Sequence, residues 1–260
     1  MIVPTVSVVA FFATATPADP AVARGAALPG GAAAANVSVR VDALHARRDV
    51  PSALAEERAL LDRAVARDPG DFALLWRAAR LDFWLSDDPG IANDARSRWG
   101  KMGWDLAERA IAANPARPEG YYFAAVNMGS YALGLGVVRA LTMGLEAKFK
   151  ERLERAGALA PDFQDGGVDT AWGRFYEKLP WPKRDRRKAE EHLRRVLSTS
   201  FPANLRARVF LADTLLETGR AAEARKLLME VAAARVGAYD PPEERRAKAL
   251  AEGMMAHLPR

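Results

Sequence analysis

Few residues in this 260-residue chain have types and spacings that could serve a reaction. The three histidines, His45, His192 and His257, lie far apart, each on an expected helix, and no pair has metal-ligand spacing. They read as surface or interface histidines. Gly134-Leu135-Gly136 imitates the start of a dinucleotide fingerprint, but the third glycine is missing and a helix precedes it where a strand is needed, so it reads as a turn between helices. Asp162, Asp165 and Asp169 around Gly166-Gly167 suggest a calcium loop, yet the ligand order does not suit an EF-hand. A helix N-cap explains an aspartate there more simply. Carboxylate pairs such as Glu56-Glu57 and Glu190-Glu191 read as solvated helix faces. There is no cysteine, which removes disulfides, thiol nucleophiles and thiolate metal sites together. No nucleophile, metal or cofactor is indicated, and the chain reads as a binding protein without catalytic activity.

Two sets of residues suit binding. The first is basic. Residues 183–195 hold seven basic and three acidic side chains, and so four of the five net charges of the chain. Lys183, Arg184, Arg186, Arg187 and Lys188 fall at an expected helix N-terminus, where positive charge opposes the dipole, and this placement suggests an anionic partner. The rest of the chain is nearly balanced, which argues against a nucleic-acid surface. The second set is aromatic. Trp76, Trp84, Trp99, Trp104, Tyr121, Tyr122, Tyr131, Trp172 and Tyr176 fall on expected helices and have core roles by default.

The elements that position these residues come from a repeat. Asp62–Pro69, Glu108–Pro115 and Glu154–Pro161 align without gaps, their prolines 46 residues apart, and Trp76 and Tyr122 follow the first two prolines at the same offset. Such a period points to stacked helical pairs. In each unit, proline stops an amphipathic helix because it lacks an N–H and crowds the preceding turn. The next helix sets a large aromatic beside small residues, Trp76 with Ala79 and Tyr122 with Ala125, so that a partner helix can approach. No pair buries its own apolar face, so the pairs must stack. Further on, Leu211-Ala212, Leu215, Gly219, Ala224 and Leu228 carry the tetratricopeptide spacing, and Trp172-Gly173, Tyr176, Ala189 and Leu193 repeat it around an insertion at Pro180-Trp181-Pro182. The expected fold is all-α, a tetratricopeptide-like α-solenoid of antiparallel helix pairs with a C-terminal capping helix. Helices are expected at 38–48, 51–67, 70–86, 93–113, 117–135, 139–160, 168–178, 184–199, 203–218, 220–235 and 241–258.

Residues 1–36 are expected to stand outside this domain, which then spans 37–260. Ile2 to Ala15 is apolar and uncharged, too short to cross a bilayer, and resembles the apolar part of a secretory signal with Ala13-Thr14-Ala15 as cleavage site. The basic leader of such a signal is missing, so either the true start lies upstream or the signal is degenerate. Residues 16–36 are Pro-, Gly- and Ala-rich and read as a flexible linker.

A narrower resemblance covers about half the chain. Pro118-Glu119-Gly120-Tyr121-Tyr122-Phe123 with Asn127 and Gly129 is one marker. Pro161 to Gly167, then Trp172-Gly173, Tyr176 and Leu179-Pro180, is another. With these, the chain resembles the T-component family of TRAP-type solute transporters, and it is similar to the regulators of microtubule dynamics. The first resemblance implies a periplasmic helical protein that partners a solute-binding protein, takes a hydrophobic ligand and can form a homotrimer. Members are often lipoproteins, and this chain has no lipid-acceptor cysteine. A general scaffold for protein assembly, periplasmic or cytoplasmic, is the alternative.

In tetratricopeptide helix A the large-small pair faces the core and other positions face the concave groove. Registering on Tyr122, Trp172 and Leu211 puts Phe123, Asn127, Ser130, Tyr131, Arg174, Lys178, Arg206 and Asp213 on the groove, and registering on Trp76 adds Arg77 and Trp84. Asn127 lies in an apolar stretch and reads either as a structural hydrogen bond to a neighbouring helix or as a polar anchor in an aromatic pocket, with Arg174 beside it to take an anionic group.

Overall fold

The computed structural model describes residues 29–198 and 201–258, and all its regular elements are α-helices. The signal-like segment and residues 16–28 of the expected linker lie outside the described residues. The helices are α1 (Pro29–His45), α2 (Pro51–Arg67), α3 (Phe72–Ser86), α4 (Asn93–Ala113), α5 (Pro118–Leu135), α6 (Val137–Thr142), α7 (Leu145–Leu159), α8 (Phe163–Lys178), α9 (Arg186–Ser198), α10 (Leu205–Glu217), α11 (Ala221–Ala233) and α12 (Pro241–Ala256).

The 46-residue period has a direct structural counterpart. Pro69, Pro115 and Pro161 stand two residues past the ends of α2, α4 and α7. At each end the same turn forms. The amides of Asp68, Asn114 and Ala160 donate to Ala64, Ala110 and Ala156, each at 2.9 Å. The following helices open with Pro118 at the start of α5 and with the Asp71 side chain accepting from the Leu74 amide at 3.0 Å in α3.

Packing is sequential. α3 packs on α4, α4 on α5, α5 on α7, α8 on α9 and α10 on α11. The apolar core accordingly divides into three successive clusters, centred on Leu61 and Leu81, on Phe123 and Leu153, and on Leu211 and Leu228. This is what stacked pairs produce, since each buries surface only against its neighbours. α4 and α5 approach most closely; a Cβ at Gly100 would stand 2.5 Å from the Tyr131 backbone nitrogen.

Two expected boundaries differ. The span 139–160 is divided, because Gly144 takes φ +75° and the chain turns between α6 and α7. At the other end, α1 begins at Pro29, inside the expected linker, where the Ala32–Ala35 run consists of the strongest helix former. α8 also carries a left-handed turn, Gln164 to Gly166 with φ between 51° and 80°, before regular helix resumes near the expected start.

The two ends of the solenoid meet. Arg48, after α1, donates to Asp240 at 2.7 Å, and Arg246 of α12 donates to the Trp84 carbonyl of α3 at 3.1 Å. Arg245 pairs with Asp49. The helical stack therefore closes on itself through side chains.

Candidate functional site

Closure shapes a half-open cavity of about 460 Å³. The inner faces of α3, α5, α8 and α10 form most of its wall, with residues at helical spacing. Arg80, Phe83, Trp84 and Asp87 come from α3 and its end. Tyr122, Val126, Ser130 and Leu133 come from α5, Gly167, Ala171, Arg174 and Lys178 from α8, and Arg206 and Phe210 from α10. Leu141, Leu145 and Phe149 of α6 and α7 add an apolar side, and Tyr239, Asp240 and Glu243 approach from the start of α12. The positions are those of helix A in each pair, which is the geometry of a concave tetratricopeptide groove.

The charges along the wall are paired. Arg206 is buried between Asp87 at 2.8 Å and Glu243 at 2.7 Å. Burial opposes its charge, but the two carboxylates outweigh that and hold its pKa well above the usual range. Its guanidinium also stacks over Phe83 and Phe210. Two guanidinium groups lie over the Trp84 ring, Arg48 at 4.4 Å and Arg246 at 3.2 Å from its centre. Arg174 pairs with Glu177 and, at 2.8 Å, with Asp213, while Lys178 shares the same two acids. Asp165 at the cavity wall has its carboxyl raised by burial and by the nearby Asp240.

Six of the groove residues expected from the sequence line this cavity: Trp84, Phe123, Ser130, Arg174, Lys178 and Arg206. Four stand elsewhere. Arg77 grips Asp42 at 2.7 Å and lies over the Trp76 ring. Tyr131 packs against Trp104. Asp213 backs Arg174 without lining the cavity, and Asn127 is fully buried between helices. The basic cluster is also engaged. Lys183 pairs with Glu146, Arg184 and Arg186 with Glu217, Arg187 with Glu191, and Lys188 with Asp185.

Arg48, Tyr239, Asp240, Glu243 and Arg246 were not legible as site residues. They come from the two ends of the chain and carry no repeat register; only a closed stack brings them to one place.

The histidines and aspartates have separate duties. His45 is buried, not on the surface, and its Nδ1 lies 2.8 Å from Glu57. His192 meets Asp169 at 2.6 Å and stacks on Trp172 and Tyr176, and His257 bonds to the Gly253 carbonyl. Asp162 precedes α8 but its side chain makes no capping bond. Among the described residues no group of three His, Asp or Glu is placed to hold a metal ion.

Residues 183–252 match the family model described as Tetratricopeptide repeat. The structure is similar to that of the thermophilic TPR protein TTC0263 of Thermus thermophilus, with 18% identity, a TM-score of 0.60 and coverage of 85% of this chain and 96% of that one. It is also similar, at a TM-score of 0.43 and 15% identity, to MamA, covering 81% of this chain and 96% of MamA. No curated protein matches the sequence. The matched segment carries tetratricopeptide repeat, and the fold of the chain is an all-α, tetratricopeptide-like solenoid.

Proposed function

We propose that the chain is a non-catalytic scaffold that holds a segment of a protein partner in its concave cavity. The observation that carries this reading is the cavity itself: helix A positions of four successive pairs converge on one space, with an apolar floor and charges already neutralised in pairs. Solenoid curvature commonly builds a concave binding surface in this way. An apolar wall with a few fixed polar groups supplies affinity by burial and orientation by hydrogen bonds. The paired arginines hold the rim in place, since moving Arg206 or Arg174 would leave the buried carboxylate of Glu243 or Glu177 short of a cation.

A second reading is favoured by the size and the largely apolar lining of the cavity. A space of about 460 Å³ suits a small apolar molecule as well as a peptide side. In that reading the chain is the ligand-holding subunit of a TRAP-type uptake system, exported to the periplasm and working beside a solute-binding protein, as the resemblance of residues 117–200 implies.

One experiment separates the two. A photo-crosslinking residue placed at Ala132 or Ala171, both on the cavity wall, is activated in cells, and the purified chain is examined by native mass spectrometry. A crosslink to a protein that is lost on Ala132→Trp supports the scaffold. A co-purifying small molecule lost on the same substitution supports the transport reading. A filled cavity that changes neither overturns both.

A further inference from the structure

Neither the core nor the cavity uses Trp181. At 88% exposure it is the most exposed large apolar side chain among the described residues. It sits in the turn between α8 and α9, flanked by Pro180 and Pro182, and the Pro180 carbonyl accepts from the amides of Lys183 at 2.9 Å and Arg184 at 3.1 Å. This tight turn holds the indole away from the body. Tryptophan is highly buried on average in folded proteins, so one left in water at the tip of a proline-bounded turn marks a surface awaiting contact.

The surroundings of the turn are cationic. Lys183, Arg184, Arg186, Arg187 and Lys188 follow within seven positions, and their side chains are between 37% and 74% exposed. Their partners are Glu146, Asp185, Glu191 and Glu217. Exposed pairs of this kind contribute little and are screened by salt, so the cations can exchange these carboxylates for other anions. The Lys183–Glu146 pair ties the turn to the start of α7, next to α6. There Val138 is 66% and Met143 48% exposed, and Arg139 between them is exposed with no carboxylate partner among the described residues.

We propose that this edge docks on an anionic lipid bilayer, with Trp181 entering at the headgroup level and the basic side chains reaching the lipid phosphates. The composition decides for a bilayer over a protein. An amphipathic indole among Lys and Arg is the pattern of a membrane interface, where one end of the ring is apolar and the other wet. A protein interface core excludes lysine and asks for a continuous apolar face, and here the apolar groups project singly among cations. No described helix is long and apolar enough to cross a membrane, so the contact is peripheral.

Vesicle flotation of the whole chain at low salt tests this, using phosphatidylcholine alone and an equal mixture of phosphatidylcholine and phosphatidylglycerol. The chain is expected to float with the mixed vesicles only, and less as salt rises. Trp181→Ala should weaken binding roughly tenfold. Arg187→Gln with Lys188→Gln should weaken it about fivefold per charge removed. All three side chains are exposed, Lys188 least, so the melting temperatures should stay near the wild-type value, and Met229→Ala, on the exposed face of α11, should leave binding unchanged. Absence of flotation with the mixed vesicles overturns the proposal. So does equal flotation by the Trp181→Ala chain, or an equal loss on Met229→Ala.

Discussion

The side-chain amide of Asn127 donates to the carbonyl oxygen of Ala79 at 2.9 Å, joining α5 to α3 through the core. The same nitrogen donates to the Phe123 carbonyl at 2.8 Å. Its oxygen lies against Gly103 of α4, where an added Cβ would stand 2.2 Å away. Asn127 is therefore the meeting point of three helices, and its place in an apolar stretch follows from that clamp.

Asn127→Leu should lower stability by about 1–3 kcal/mol, because the branched side chain meets Gly103 and both hydrogen bonds are lost. Gly103→Ala should cost at least as much from the other side of the contact. Thermal melts followed by circular dichroism measure both. A wild-type melting temperature for Asn127→Leu would return the residue to a binding role.

Gly173 of α8 and Leu193 of α9 test the tetratricopeptide register. A Cβ at Gly173 would lie 2.5 Å from Leu193 Cγ and 3.2 Å from the Ala189 carbonyl. Gly173→Ala should cost about 1–3 kcal/mol by overpacking. Leu193→Ala alone should cost about 2–5 kcal/mol, since that side chain is fully buried. The double variant should cost less than the sum of the two single costs by more than about 0.5 kcal/mol, as contacting residues couple. Urea denaturation gives the cycle, and strict additivity would place the two residues out of contact.

These two cases show what the sequence carried. The Gly173, Ala189 and Leu193 spacing is local, set by two adjacent helices and a short insertion, so periodicity exposes it. The turn after α2, α4 and α7 was legible for the same reason. The role of Asn127 was open between structure and binding, because the partner carbonyl of Ala79 is 48 positions away and backbone carbonyls leave no mark in a sequence. The groove positions Arg77 and Asp213 have the register of the cavity wall but are taken up by ion pairs, with Asp42 and with Arg174 and Lys178. The break at Gly144 was hidden because helix-forming residues continue on both sides of it. The closing contacts of α12 were the least legible, since nothing repeats between the ends of the chain.

Glu57 and His45 make stability depend on pH. Burial pushes the Glu57 carboxyl up to about 7, against the lowering effect of Arg80, Arg48 and Arg58, and Asp42 adds to the rise. Burial, then Arg80 and Arg48, hold His45 well below its usual range. For a raised carboxyl the stabilising contribution is complete below the ordinary value of 4.5 and is lost as pH rises through about 7. The lowered His45 acts the other way, contributing above 6.5 and losing that contribution as pH falls. Asp82, raised to about 6 by burial against Arg58, adds a smaller decline of the Glu57 kind. Glu57→Gln keeps a neutral donor toward His45 and leaves His45 and Asp82 in place. Its melting temperature should gain on the wild type steadily from about pH 5 to about pH 8. A constant difference across that range would place the titration elsewhere.

The closed stack should open first at α12. Arg48 has only 5% of its side chain exposed, reaches Asp240 at 2.7 Å, and lies over the Trp84 ring, as Arg246 also does. Arg48→Met keeps apolar contact with Trp84 but leaves Asp240 and Glu243 short of a cation. The loss should lie toward the low end of the roughly 3–5 kcal/mol for a broken buried pair, because Asp240 is 29% exposed. Arg245→Ala, which removes the exposed pair with Asp49, should leave stability close to the wild type. The effect of Arg48→Met should be local. α12 meets α10 and α11 through backbone-close packing, and it reaches α3 and the α1–α2 turn through the hydrogen bonds of Arg246 to the Trp84 carbonyl and of Arg48 to Asp240. Hydrogen exchange should therefore quicken across Pro241–Ala256 and stay at the wild-type rate in α4 and α5, whose mutual packing is the most extensive in the chain. Small-angle scattering should show a larger radius of gyration in the same variant as the ends part. Unchanged exchange in α12 together with an unchanged radius would mean that the ends are held by something other than Arg48.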